Sequence, residues 1–144
     1  MNKIGARALR VAAISAASVA LVVANTGSAS AAQYNGICDA KEVCIYKHTY
    51  LNGPWIDHQY ADPNYTNNTW TGGGYPSQGT NDEASSLDSW DTNWKVRFFT
   101  NAYYGGSWQT LGVYARANTV TYNDQYSSHC WNDGGVSGYA QCDF

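Results

Sequence analysis

The sequence predicts an all-β fold, a single-domain sandwich of two Greek-key motifs, and three observations carry that expectation. Only 13% of the 144 residues are charged, while twelve tyrosines, six tryptophans and fourteen glycines give a β-prone, turn-rich composition. Short runs of alternating apolar and polar residues are separated by clusters of Gly, Pro, Asn and Asp. One six-residue pattern occurs twice, as Asn81-Asp82-Glu83-Ala84-Ser85-Ser86 and as Asn123-Asp124-Gln125-Tyr126-Ser127-Ser128. Each copy reads as two Asx residues, two free positions and two serines, and a repeated motif in so short a chain points to a duplicated unit.

Residues 1–31 read as a secretory signal peptide outside the fold. Lys3, Arg7 and Arg10 make a basic start, residues 11–23 an apolar run, and Ala29-Ser30-Ala31 a small-residue cleavage pattern. The run falls short of the roughly 20 residues that span a bilayer, so no membrane association is expected. The domain then covers 32–144, and its setting is extracellular.

The chain holds eight basic and eleven acidic residues, and three of the basic ones lie in the leader, which leaves the domain at −6. Without a basic patch it is a poor candidate for nucleic acid. Cys38, Cys44, Cys130 and Cys142 in an oxidising compartment imply two disulfides, for which three pairings are possible. Their spacings do not resemble a zinc site. Catalysis finds no support. His48, His58 and His129 are scattered, no hydrolase or phosphate-loop motif is present, and neighbours such as Asp57 and His58 point to opposite faces of a strand.

In chain order, residues 43–46 form a first strand, followed by a turn at 47–53 and a second strand at 55–60, which Pro54 suits as a start or an edge. Residues 61–80, with Pro63, Pro76 and the glycines Gly72, Gly73 and Gly74, read as a long loop. The first hexapeptide feeds a short strand at 87–90. The second half repeats the order: a strand at 95–99, a turn at 100–106, a strand at 107–111, a β-prone run at 119–122, and the second hexapeptide leading into His129 and Cys130. From Gly53 to Asn81 is 28 positions and from Gly106 to Asn123 is 17, so an 11-residue insertion within 61–80 accounts for the offset. The motifs then cover about 43–90 and 95–131. Neither half buries much core alone, which gives pairing a physical reason. Trp90, Trp94 and Trp108 are expected in or near the core, with Trp70 and Tyr75 on the inserted loop.

With these residues in place, the chain resembles the βγ-crystallin superfamily. Phe99, Tyr104 and Gly106 match the aromatic–aromatic–glycine pattern that opens each of that family's motifs; in the first half Tyr46 and Gly53 match, with Leu51 in the second aromatic slot beside Tyr50. Ser86 and Ser128 correspond to the serine that caps the folded hairpin. The hexapeptides match the family's calcium signature, and the resemblance implies two Ca2+ sites formed by exchange of ligands between the halves. It assigns Asp82 and Asp124 as side-chain ligands or braces, Ser85 and Ser127 as hydroxyl ligands, and Glu83, Gln125, Lys47 and Thr100 as backbone-carbonyl ligands. Lys47 replaces the acidic residue usual at its position, which a backbone ligand tolerates.

The segment from Cys38 to Tyr46, with Gly53 beyond it, is similar to the start of streptomycete metalloproteinase inhibitors, secreted βγ-crystallin-like proteins that block thermolysin-type proteases. That resemblance implies the pairings Cys38–Cys44 and Cys130–Cys142. It also implies an extracellular protease as partner of a monomeric inhibitor that is not an enzyme. The segment 131–141, bounded by cysteines, is the better pre-organised candidate for an inhibitory loop, and Val136 is its one aliphatic residue larger than alanine. The alternatives are a cell-wall or glycan-binding module, for which the aromatics offer stacking faces, and a calcium-stabilised structural or stress protein.

Overall fold

The computed structural model describes residues 32–132 and Cys142; the leader and Val136 lie outside the described residues. Seven strands form: β1 (Val43–His48), β2 (Asn52–His58), β3 (Ser86–Ser89), β4 (Lys95–Asn101), β5 (Gly105–Leu111), β6 (Arg116–Ala117) and β7 (Ser128–Asn132). They make two antiparallel sheets, one ordered β2-β1-β3-β6 and the other β5-β4-β7. The short β6 comes from the second half of the chain yet completes the sheet of the first. In return Asp62, from the first half, makes an isolated antiparallel bridge to His129 on β7. Each sheet thus takes its last member from the other half, the exchange that defines a pair of interlocked Greek keys.

Strand alternation sets the core. On β1 Val43 and Ile45 point inward, joined by Ile56 from β2 and Leu87 from β3, and Val96, Phe98 and Trp131 close it from the second sheet. The strands end later or earlier than the alternation alone suggested. The first runs on to His48, the second stops at His58, and the β-prone run 119–122 is turn, with the strand of that region lying at Arg116–Ala117 instead.

The inserted loop departs most from expectation. It carries a single 3-10 turn at Tyr65–Asn67, capped by the Asn64 side chain accepting from the Thr66 amide. Tyr65 and Trp70 are both fully buried in the main core, so Trp70 offers no face to solvent. The glycines explain how the loop lies so close to the sheet. Gly72 exchanges backbone bonds with Trp55, and any Cβ there would fall inside the Trp55 indole; Gly73 packs on the Pro54 backbone with φ +78°. Trp108 also departs from expectation. It faces outward from β5, 54% exposed, with the Arg97 guanidinium 5.1 Å from its ring centroid. Trp94 packs partly buried against the core as expected, and Trp131 is the core tryptophan of the second sheet.

Between the sheets the rings of His58, Tyr65 and His129 pack together, with His58 and His129 at 4.5 Å and His58 and Tyr65 stacked at 5.7 Å. His129 is held through Nδ1 by the Tyr65 hydroxyl at 2.6 Å and through Nε2 by the Tyr60 carbonyl at 3.1 Å. Neither ring nitrogen of His58 has a hydrogen-bond partner, and the nearest carboxylate oxygen, on Asp62, is 4.0 Å away. Burial holds the His58 imidazole well below its ordinary pKa, and pulls that of His129 down to about 4.

Both histidines are therefore neutral in the fold and take up protons on unfolding. Their contribution to stability is complete above the unfolded value near 6.5 and is lost as pH falls below it, for His129 down to about 4. Glu42, which burial pushes up to about 7, acts in the opposite sense between 4.5 and 7, its contribution being greatest at low pH. Replacing His58 by Phe keeps an aromatic ring in a site with no hydrogen bond to break. His58→Phe should lessen the loss of stability on acidification by up to about 1.4 kcal/mol per pH unit, read from denaturant melts of both proteins across this window.

Candidate metal centre

The two hexapeptides adopt the same backbone and face each other across the sandwich. Asp82 and Asp124 sit in the left-handed region with φ of 56° and 54°. Short polar side chains tolerate this conformation because they hydrogen-bond locally, and here Asn81 and Asn123 each donate an amide to the following aspartate's Oδ2 at 2.7 Å. The backbones then bond reciprocally: the Asp82 amide donates to the Tyr126 carbonyl and the Asp124 amide to the Ala84 carbonyl, both at 3.0 Å. Ala84 and Tyr126 fill the free positions with buried apolar side chains, which fixes the loops to the core.

Side chains repeat the exchange. The Ser127 hydroxyl donates to Asp82 Oδ1 at 2.9 Å, and the Ser85 hydroxyl to Asp124 Oδ1 at 3.3 Å. Ser127 Oγ also lies 3.3 Å from the Thr100 carbonyl. Two acceptor oxygens therefore converge on a hydroxyl that has one proton to share, an acceptor-rich arrangement suited to a hard cation. Among the described residues no group of three or more His, Cys, Asp and Glu side chains is placed to hold a metal ion. The donors on offer are a single carboxylate, a hydroxyl and backbone carbonyls, a set that fits Ca2+ and not a softer transition metal.

The other sequence-derived ligands are placed by register. Ser85 donates its amide to the Tyr46 carbonyl and Ser127 to the Phe99 carbonyl, both at 2.9 Å, so Lys47 and Thr100 follow directly after equivalent contact points. The Lys47 ammonium pairs with Glu83 at 2.6 Å and also reaches Gln78 at 3.2 Å. Its charge is thus matched at the loop. Gln125 is exposed and bonds within its own loop to the Asn123 carbonyl at 3.4 Å.

The serines that follow Ser85 and Ser127 tie the loops to the hairpins. Ser86 Oγ donates to the His48 carbonyl at 2.6 Å and accepts from Leu51 N–H at 3.0 Å. Ser128 does the same with the Asn101 carbonyl at 2.7 Å and Tyr104 N–H at 3.1 Å. This equates Leu51 with Tyr104, and the backbone agrees: Tyr50 and Leu51 have φ of 60° and 57°, Tyr103 and Tyr104 of 57° and 63°. Gly53 and Gly106 complete each turn at φ +78°, where a side chain would collide with His48 or Thr100.

The disulfides are Cys38–Cys44 and Cys130–Cys142, with no free cysteine among the described residues. The first ties the N-terminal segment to β1. That segment crosses the outside of β2, where the Asp57 carboxylate accepts from the Asn35 and Gly36 amides at 2.9 and 2.8 Å. Asp57 thus faces away from His58. Nothing in the residue spacing announced the His58–Tyr65–His129 cluster, because the two histidines meet only when the sheets pack and Tyr65 joins them from the inserted loop.

Interlocked sheets, paired hairpins and reciprocal loops define a βγ-crystallin fold. A solved structure concerned with the evolution of the eye lens beta-gamma-crystallin domain fold superposes with a TM-score of 0.56 at 23% identity, covering 67% of this chain and 90% of that one. A betagamma-crystallin from an Archaea gives 0.49 at 24% identity over 63% and 96% of the two chains, and a betagamma-crystallin domain from Flavobacterium johnsoniae 0.49 at 20% over 66% and 98%. No curated protein matches the sequence. The profile of peptidase inhibitor family I36 matches residues 29–111, and the chain belongs to that family. It is a non-enzymatic inhibitor-family protein whose partner class is a protease and whose disulfides suit an extracellular setting.

Each capping serine is itself buried and makes two part-buried bonds to the hairpin backbone, one as donor and one as acceptor. Ser86→Ala and Ser128→Ala should each lower stability by about 1–3 kcal/mol, and thermal or denaturant unfolding measures this.

Proposed function

We propose that this chain is a secreted, calcium-stabilised inhibitor of thermolysin-type metallopeptidases. The observation that carries the inhibitor reading is the family match over residues 29–111. The clamp on segment 131–141 supports the choice of inhibitory loop. Cys130 is buried on β7 and bonded to Cys142, whose amide donates to the Trp131 carbonyl at 3.3 Å. A segment tied at both ends gives up little freedom on entering a protease cleft, and a cleaved product stays attached. Val136 is the side chain we assign to an apolar specificity pocket.

Titrating thermolysin with the protein should abolish activity near equimolar ratio. Val136→Gly should weaken inhibition by at least about tenfold with the fold intact. Unchanged protease activity at large excess of the protein contradicts the proposal.

In the calcium reading, one ion is held by Asp82, Ser127 and the Thr100 carbonyl, with a second carbonyl from Glu83. The other is held by Asp124, Ser85 and the Lys47 carbonyl, with that of Gln125. One carboxylate per site places the affinity in the range of extracellular modules, about 10⁻⁴–10⁻³ M. At about 10 mM calcium each site then adds about 1.4–2.7 kcal/mol to stability. A melt in calcium against one in chelator should show the rise, Asp82→Ala and Asp124→Ala should each remove part of it, and equal melting temperatures in the wild-type chain count against the sites.

A further inference from the structure

A groove on the outer face of the four-stranded sheet belongs to neither the paired loops nor the clamped segment. Asp88 on β3 and Arg116 on β6 are register partners, and a guanidinium N–H donates to the Asp88 carboxylate at 2.8 Å. Trp90, two residues beyond Asp88 and so on the same face, donates its indole N–H to the same oxygen at 3.2 Å. Tyr114 stands edge-on to Trp90, the ring centroids 5.8 Å apart and the planes at 81°. With Ser89 these residues line a cavity of about 280 Å³.

Two features define the groove. Tyr114 is 65% exposed although its backbone is held at φ 44°. Its amide is fixed by the Asp91 carbonyl at 2.6 Å, and Asp91 in turn accepts from the Asn93 and Trp94 amides at 2.7 and 2.9 Å. Tyr50 and Tyr103 are likewise exposed and left-handed in the hairpins, so the conformation is not peculiar to this place; its effect here is to fix the Tyr114 ring beside Trp90. The charges, in addition, cancel. Asp88 and Arg116 neutralise each other, yet a carboxylate and a guanidinium offer about four acceptor positions and five N–H groups. Only two contacts on the Asp88 carboxylate and one on the guanidinium are taken here.

Those walls select a ligand. A neutral pair gives an anion or a cation little net attraction, and the domain's net charge of −6 opposes anionic polymers. A purely apolar ligand would strip water from the ion pair without replacing its hydrogen bonds. A pyranose ring meets both demands, with a C–H face for the Trp90 and Tyr114 rings and hydroxyls for the ion pair. We propose that this groove binds a pyranose unit of a neutral polysaccharide, independently of protease inhibition.

The test is calorimetric titration with cellohexaose and chitohexaose, with retention on insoluble cellulose and chitin alongside. One of these sugars should bind, and Tyr114→Ala and Arg116→Gln should each weaken it by at least about tenfold while melting temperature and protease inhibition stay unchanged. Four results overturn the proposal: no binding of either sugar or retention on either polymer; binding that both variants leave intact; tighter binding of polygalacturonate than of the neutral sugars; or loss of inhibition in the variants, which would make the groove part of a protease interface.

Discussion

The structure depends on a reciprocal contact between two loops far apart in sequence. Asp82 receives the Ser127 hydroxyl and Asp124 receives that of Ser85, while their amides bond to the Tyr126 and Ala84 carbonyls. Neither loop can keep its left-handed aspartate, its buried neighbour and its serine contact without the other. The loops hold the hairpins through Ser86 and Ser128, and the hairpins set the registers of β1 with β2 and of β4 with β5. The same lock gathers oxygen donors at two places, so the arrangement that joins the halves also provides the cation sites we propose.

Features built from local spacing were legible in the sequence. The glycines after each aromatic turn, the paired Asx-Ser patterns and the 11-residue offset are properties of consecutive residues, and they identified two matching halves. The exchange of β6 and Asp62 between sheets was not legible, because a two-residue strand and an isolated bridge leave no periodicity. The inserted loop misled for a related reason. Its Gly, Pro and Asn content reads as irregular surface, whereas Trp70 and Tyr65 anchor it in the core and its glycines let it lie on Trp55 and Pro54. Trp108 departs the other way: β5 is a largely exposed strand, and its tryptophan faces outward beneath the Arg97 guanidinium.

The sandwich separates its surfaces by sheet. The clamp at Cys130 and Cys142 is at the end of the β5-β4-β7 sheet, and the Asp88–Arg116 groove is on the other. On the two proposals taken together, one sheet serves the protease and the other is free to hold the protein near a polymer, with the paired loops keeping the two sheets in fixed relation. The buried histidines sit between the sheets, where acidification acts on the whole domain and not on either surface alone.

The central claim is that the loops stabilise the fold as a coupled pair. A double-mutant cycle on Asp82→Ala and Ser127→Ala, measured by denaturant unfolding in chelator and again in calcium, tests it most directly. The account predicts a coupling energy of about 1 kcal/mol without the ion and a larger one with it. Effects that add to within about 0.3–0.5 kcal/mol under both conditions would mean that the two residues act independently, and would contradict it.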